Sequence, residues 1–194
     1  MPFIFAIFGY LIGSIPIGAI ISRLRGIDIR KFGSGNIGAT NISRALGPGP
    51  GILVYLLDFL KGFLAVYIGY WSGGDPLIVL IMGASVVIGH MFSIFLGFKG
   101  GKGVSTGSGV VAAIAPEIFL ICILFMAFAA ITIRYVAVAS ILTVVLAVSL
   151  MFLFRKPPVY SIACLMVAAL IIVSHSSNIK RLLQGTEPRL GDNK

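Results

Sequence analysis

Four stretches of this chain, residues 1–22, 76–98, 135–154 and 157–179, contain no Asp, Glu, Lys or Arg. Each reaches the roughly 20 residues that a helix needs to cross a hydrocarbon core of about 30 Å. Residues 51–71 make another such run, with Asp58 and Lys61 inside it. Composition agrees. The chain is 58% hydrophobic and 11% charged, with a mean hydropathy of +1.07. Soluble domains run near 45–50% apolar and about 25% charged. The excess apolar surface calls for lipid as solvent, and 194 residues admit a single all-α polytopic membrane domain over 1–194. The first run is too long and too interrupted by Gly and Pro for a signal peptide. It also lacks a basic start and a cleavage site, so it reads as the first helix.

Residues 103–133 are broken only by Glu117. As one helix they would extend about 45 Å at 1.5 Å per residue, too long for one crossing. As two segments turning at Ala115, Pro116 and Glu117, each is short. Charge bias separates the alternatives. Two segments put Arg23, Arg25, Arg30, Lys31, Arg44, Lys99, Lys102, Arg134, Lys180, Arg181, Arg189 and Lys194 on one side. Only Arg155 and Lys156, with Asp75 and Glu117, fall on the other. The positive-inside rule therefore predicts seven spans with the N-terminus outside and the C-terminus cytoplasmic. They lie at about 3–22, 52–71, 77–96, 103–115 (short), 117–133, 137–154 and 158–176. The external connections are minimal, so function is expected on the cytoplasmic face, where nearly all the Gly, Asn, Ser and base collect.

The formal charge of +9 admits nucleic acid, basic cytoplasmic loops or an anionic substrate. The hydropathy favours the last two, and no nucleic-acid partner is expected. Cys122 and Cys164 sit inside apolar runs, so they make neither a disulfide framework nor a metal-ligand cluster.

Two loops carry the chemistry. The first holds Lys31, Gly33, Ser34, Gly35, Asn36, Gly38, Thr40 and Asn41, with Arg44 one turn on. Its glycines match the dinucleotide spacing G-x-G-x-x-G, but that motif requires a strand-turn-helix unit, and here it follows a membrane helix. Glycines that let backbone N–H groups approach an anion, a helix start, neutral donors and an arginine still describe a phosphate cradle. The second loop holds Lys99, Gly100, Gly101, Lys102, Gly103, Ser105 and Thr106. It fails the P-loop on count. It also spells the nucleophile elbow G-x-S-x-G without the strand that motif needs. What remains is a second anion cradle. For both loops the plainer alternative is a basic juxtamembrane turn.

A third group lies within or near the spans: Asp58, Lys61, His90, Arg134, Ser140, His175 and Asn178. Ionisable groups at membrane depth are costly and face an interior or a pathway. Asp58 and Lys61, spaced i and i+3, are expected to pair structurally. Ile94 and Ile179 stand four residues after His90 and His175, so the His-x4-Asp pair of many glycerolipid acyltransferases is absent, and no pair shows dyad spacing.

These pieces together resemble the bacterial acyl-phosphate:glycerol-3-phosphate acyltransferase family, PlsY. The matching parts are Gly13, Ser14, Ile15 and Pro16; residues 33–41; Gly89 and His90 with 98–104; Arg134 and Tyr135; and the tail from His175 and Asn178 to Glu187. The resemblance implies a seven-helix inner-membrane enzyme that passes a fatty acyl group from acyl phosphate to glycerol 3-phosphate. The products would be 1-acylglycerol 3-phosphate (lysophosphatidate) and phosphate, the first step of phospholipid synthesis. It implies no metal, no cofactor, and neither acyl-CoA nor acyl carrier protein as direct donor. His90, Lys102, Asn178 and Ser140 are the expected catalytic residues. Ser34, Gly35, Asn36, Gly38, Thr40, Asn41, Arg44, Lys99, Gly100, Gly101, Thr106 and His175 would hold the phosphates. Asp58, Lys61, Arg134 and Glu187 would support them. The competing classes are a transporter of an organic phosphate and a non-catalytic lipid-binding scaffold.

Overall fold

Proline and glycine punctuate the chain into helices. The computed structural model describes residues 2–192, so Lys194, counted above among the internal bases, lies outside the described residues. The first apolar run does not form one helix. It breaks into α1 (Pro2–Ser14) and α2 (Ile17–Leu24), because Pro16 cannot donate to the helical ladder. Next come α3 (Ala39–Leu46), α4 (Pro48–Trp71), α5 (Pro76–Met91) and α6 (Val104–Ile114). After these follow α7 (Pro116–Ile133), α8 (Val136–Leu153), α9 (Pro158–Ser174) and α10 (Ser176–Leu183). Pro at the first helical position starts α4, α5, α7 and α9, where its missing N–H costs nothing.

Five helical stretches are long and apolar enough to cross a membrane, and six if the pair α9–α10, bent by 48°, counts as one span. The turn expected at residues 115–117 is present: Ala115 leaves the helical region between α6 and α7. With 11 residues, α6 rises only about 16 Å, roughly half a hydrocarbon core. The protein is therefore an all-helical, multi-pass membrane protein.

The chain forms two compact units, one ending at Ile114 and one beginning at Ala115. In the first, α1 packs on α5, and α4 on α3, α5 and α6. Lipid gives no hydrophobic drive between helices, so close backbone approach must hold them together. At α1–α5, a Cβ on Gly13 would collide with the Val86 backbone, and one on Gly89 with the Tyr10 carbonyl. Gly62 and Gly109 let α4 and α6 meet in the same way. A small core of Ala19, Ile29, Ile37, Ile42 and Val54 anchors the first loop beneath α2 and α3. In the second unit α7 packs on α8 and α8 on α9.

Candidate active site

The first loop is organised by one buried amide. Asn41 donates through Nδ2 to the carbonyls of Phe32 and Asn36, each at 2.9 Å, and more distantly to Ile29 at 3.4 Å. Its Oδ1 accepts from the Ser34 N–H at 3.1 Å. The Gly35 N–H donates to Phe32 O at 2.9 Å, and the Gly38 N–H to Asn36 Oδ1 at 2.7 Å. The row of open backbone donors expected from the glycines is thus corrected: these N–H groups close the loop on itself. Asn41, 2% exposed, is a scaffold for it. What the closed loop presents is the half-buried hydroxyls of Ser34 and Thr40 and the start of α3, which Gly38 leaves without a side-chain cap. The first amides of such a helix suit an anion. Arg44 lies one turn along α3. At the loop entry, Asp28 accepts from the Arg30 backbone and guanidinium, and the Arg30 hydrogen bond holds the Asp28 carboxyl below its ordinary range.

The second loop is fastened to the end of α5. The Gly100 N–H donates to Met91 O at 2.9 Å and the Gly101 N–H to His90 O at 3.0 Å, so loop amides satisfy the last helical carbonyls. Ser93 donates to Ser14 O at 2.5 Å and Tyr10 to Phe92 O at 2.7 Å, tying this end of α5 to α1. Gly103, at φ +85°, turns the chain into α6, with half-buried Lys102 beside it and Lys99 exposed. Thr106, expected at a phosphate, is fully buried, and its carbonyl lies against Gly62. Close α4–α6 contact places it inside the packing.

Helices α4 and α5 bring together a buried charged cluster. Lys61 Nζ is 2.7 Å from Asp58 Oδ1, as the i, i+3 spacing predicts, and donates to Ile15 O at 3.1 Å. That carbonyl stands at the helix break before Pro16. Asp58 Oδ1 also lies 3.4 Å from His90 Nδ1. The His-x4-Asp spacing remains absent, but packing of α4 on α5 brings an aspartate and a histidine distant in sequence together. Burying charge demands such pairing. All three side chains are enclosed.

The second unit has its own polar cluster. Glu187, buried, accepts from Asn178 Nδ2 at 2.6 Å and from Arg181 Nε at 2.7 Å. His175, at the bend between α9 and α10, has Nδ1 2.7 Å from Ile171 O. A carbonyl only accepts, so Nδ1 is the donor in this contact. Ser140 donates to Val136 O at 2.8 Å within α8, which spends its hydroxyl proton. Arg134 and Leu190 exchange two hydrogen bonds, and Arg189 donates to the Tyr135 hydroxyl at 3.1 Å, which raises the guanidinium pKa. The tail thereby folds back onto the turn between α7 and α8. Sequence reading missed this clamp and the Asp58–His90 contact. For the clamp the available signal was Tyr135 beside Arg134; for the contact, two ionisable residues in separate apolar runs. Among the described residues, no three His, Cys, Asp or Glu side chains gather as metal ligands.

Residues 3–185 match the family profile described as Glycerol-3-phosphate acyltransferase. A glycerol-3-phosphate acyltransferase of Aquifex aeolicus (strain VF5) is 45% identical over 94% of this chain and 96% of its own. Glycerol-3-phosphate acyltransferase 1 of Deinococcus radiodurans is 44% identical over 94% and 92%. Among solved structures, PlsY (YgiH), an integral membrane glycerol 3-phosphate acyltransferase, superposes in its glycerol 3-phosphate form with a TM-score of 0.94. That pair is 44% identical over 98% of this chain and 96% of the other. Its lysophosphatidic acid form gives 0.92 at 43% identity over 98% and 95%. With sequence and fold matched over nearly the whole length, this chain belongs to the PlsY family of glycerol-3-phosphate acyltransferases.

Proposed function

We propose that this protein acylates glycerol 3-phosphate with acyl phosphate as donor, in the cell inner membrane. A glycerol hydroxyl oxygen attacks the acyl carbonyl carbon, and the bond from that carbon to the phosphate oxygen breaks. Phosphate leaves with the electron pair and receives the hydroxyl proton, giving lysophosphatidate and inorganic phosphate. An acyl phosphate is already activated, so positioning, charge neutralisation and oxyanion stabilisation suffice. The donor's own phosphate oxygens serve as the base. No metal, cofactor, acyl-CoA or acyl carrier protein enters the transfer.

The observation that carries this reading is the pair of hydrogen-bonded basic loops in one unit, because two phosphorylated substrates call for two anion sites. Arg44, with the Ser34 and Thr40 hydroxyls, serves the first loop, whose form Gly35, Asn36, Gly38 and Asn41 maintain. Lys99 and Lys102 serve the second on the frame of Gly100 and Gly101. Asn178, His175 and Ser140 supply further polar contacts in the second unit, and Arg134 and Glu187 hold its tail. The membrane domain crosses seven times, with a cytoplasmic C-terminus and both loops on the cytoplasmic face.

Purified protein given acyl phosphate and labelled glycerol 3-phosphate should form labelled lysophosphatidate without acyl-CoA. Uptake of an organic phosphate into sealed vesicles with no new ester would instead establish a transporter. Direct transfer further predicts intersecting initial-rate lines and no acyl group on Ser34 or Ser105 after quenching without acceptor. A stoichiometric acyl-enzyme would overturn it.

A further inference from the structure

Gly101 does not occupy the left-handed region, so its backbone admits an L side chain. The nearest obstruction is a single side chain. The three atoms nearest to a Cβ at Gly101 are Nε2, Cε1 and Cδ2 of His90, and that Cβ would collide with Nε2. Gly100 is different: there a Cβ would strike the backbone carbonyls of His90 and Met91. The imidazole is thus the floor beneath Gly101. Its other edge is held from behind by Asp58, 3.4 Å from Nδ1. Asp58 is held in turn by Lys61, and Lys61 by the Ile15 carbonyl. His90 itself is only 4% exposed.

We infer that His90 is a positioning residue, whose ring, braced by Asp58 and Lys61, seats Gly101 and so sets the placement of the Lys102 ammonium. It exchanges no proton with substrate. The inference rests on the acyltransferase reading for its activity readout, so it is tested by two measurements: lysophosphatidate formation and thermal unfolding in detergent.

The test is second-site rescue. G101A forces a Cβ into the ring and should lower kcat/KM at least tenfold, roughly the effect of overpacking one methyl. H90N removes Nε2 and Cε1 while keeping a polar group near Asp58, and H90A removes the ring altogether. Lys61 leaves Asp58 paired in both. Combined with G101A, either substitution should regain activity about tenfold over G101A alone and raise the unfolding temperature toward wild type. The same substitutions should not rescue G100A, whose obstruction is backbone. H90N alone should raise KM more than it lowers kcat and keep the acidic limb of the kcat/KM profile.

The inference is overturned if G101A matches wild type, or if neither double variant exceeds G101A in activity or stability. Equal rescue of G100A, or loss of the acidic limb in H90N, overturns it as well. Should wild-type protein make no lysophosphatidate, the acyltransferase reading fails instead, and the unfolding temperatures alone decide the seat.

Discussion

Asn178 donates its side-chain amide to Glu187 across 2.6 Å, joining the first turn of α10 to a tail nine residues further on. Arg181 takes the other carboxylate oxygen at 2.7 Å. Removing Glu187 would take from both donors, one of them buried, the carboxylate they share. E187A should therefore destabilise the protein by about 2–5 kcal/mol. E187Q keeps one acceptor and should lose less. Thermal unfolding in detergent ranks the two, and an E187A protein as stable as wild type would show that the Glu187 contacts contribute nothing.

Lys102 and Arg44 carry the charges of the two loops. K102A and R44A should each cut turnover about 30–1000-fold, equivalent to roughly 2–4 kcal/mol of lost transition-state stabilisation. The unfolding temperature should change little. Near-full turnover in both variants would leave the basic loops with a role in topology alone.

Asn41 makes a different prediction, since its amide is spent inside the loop. N41D replaces the donating NH₂ with an oxygen facing the carbonyls of Phe32 and Asn36. Each orphaned or repelled group costs about 1–3 kcal/mol. The protein should lose stability, and KM should rise for one of the two phosphorylated substrates. Steady-state kinetics with each substrate varied in turn identifies which. Unchanged KM values for both would separate the first loop from substrate binding.

Topology can be read with single cysteines in a background lacking Cys122 and Cys164. K31C, K99C and Q184C should react with an impermeant thiol reagent only from the cytoplasmic side. W71C should react only from outside. Labelling of Q184C from outside alone would rule out seven crossings.

Hydropathy and charge are properties of neighbouring residues, so the sequence by itself determined what depends on neighbours. Charge-free runs located the membrane helices, Pro116 located the turn after α6, and i, i+3 spacing paired Asp58 with Lys61. The glycine-rich basic loops were also visible, with their preference for anions. Other relationships required helices to meet. Nothing near His90 in the chain points to Asp58. The two come together because glycines let α1 pack tightly on α5 and α6 on α4, with α5 also against α4. The same close packing buries Thr106, which sequence alone left undecided. In the first loop, donors that look open in sequence are taken by Phe32 O, Asn36 Oδ1 and Asn41 Oδ1, while the Asn41 amide pairs carbonyls that would otherwise be left unpaired in a compact loop. Residue types and their order decide which groups are present, whereas the packing of side chains against separate helices decides which of them remain available for chemistry.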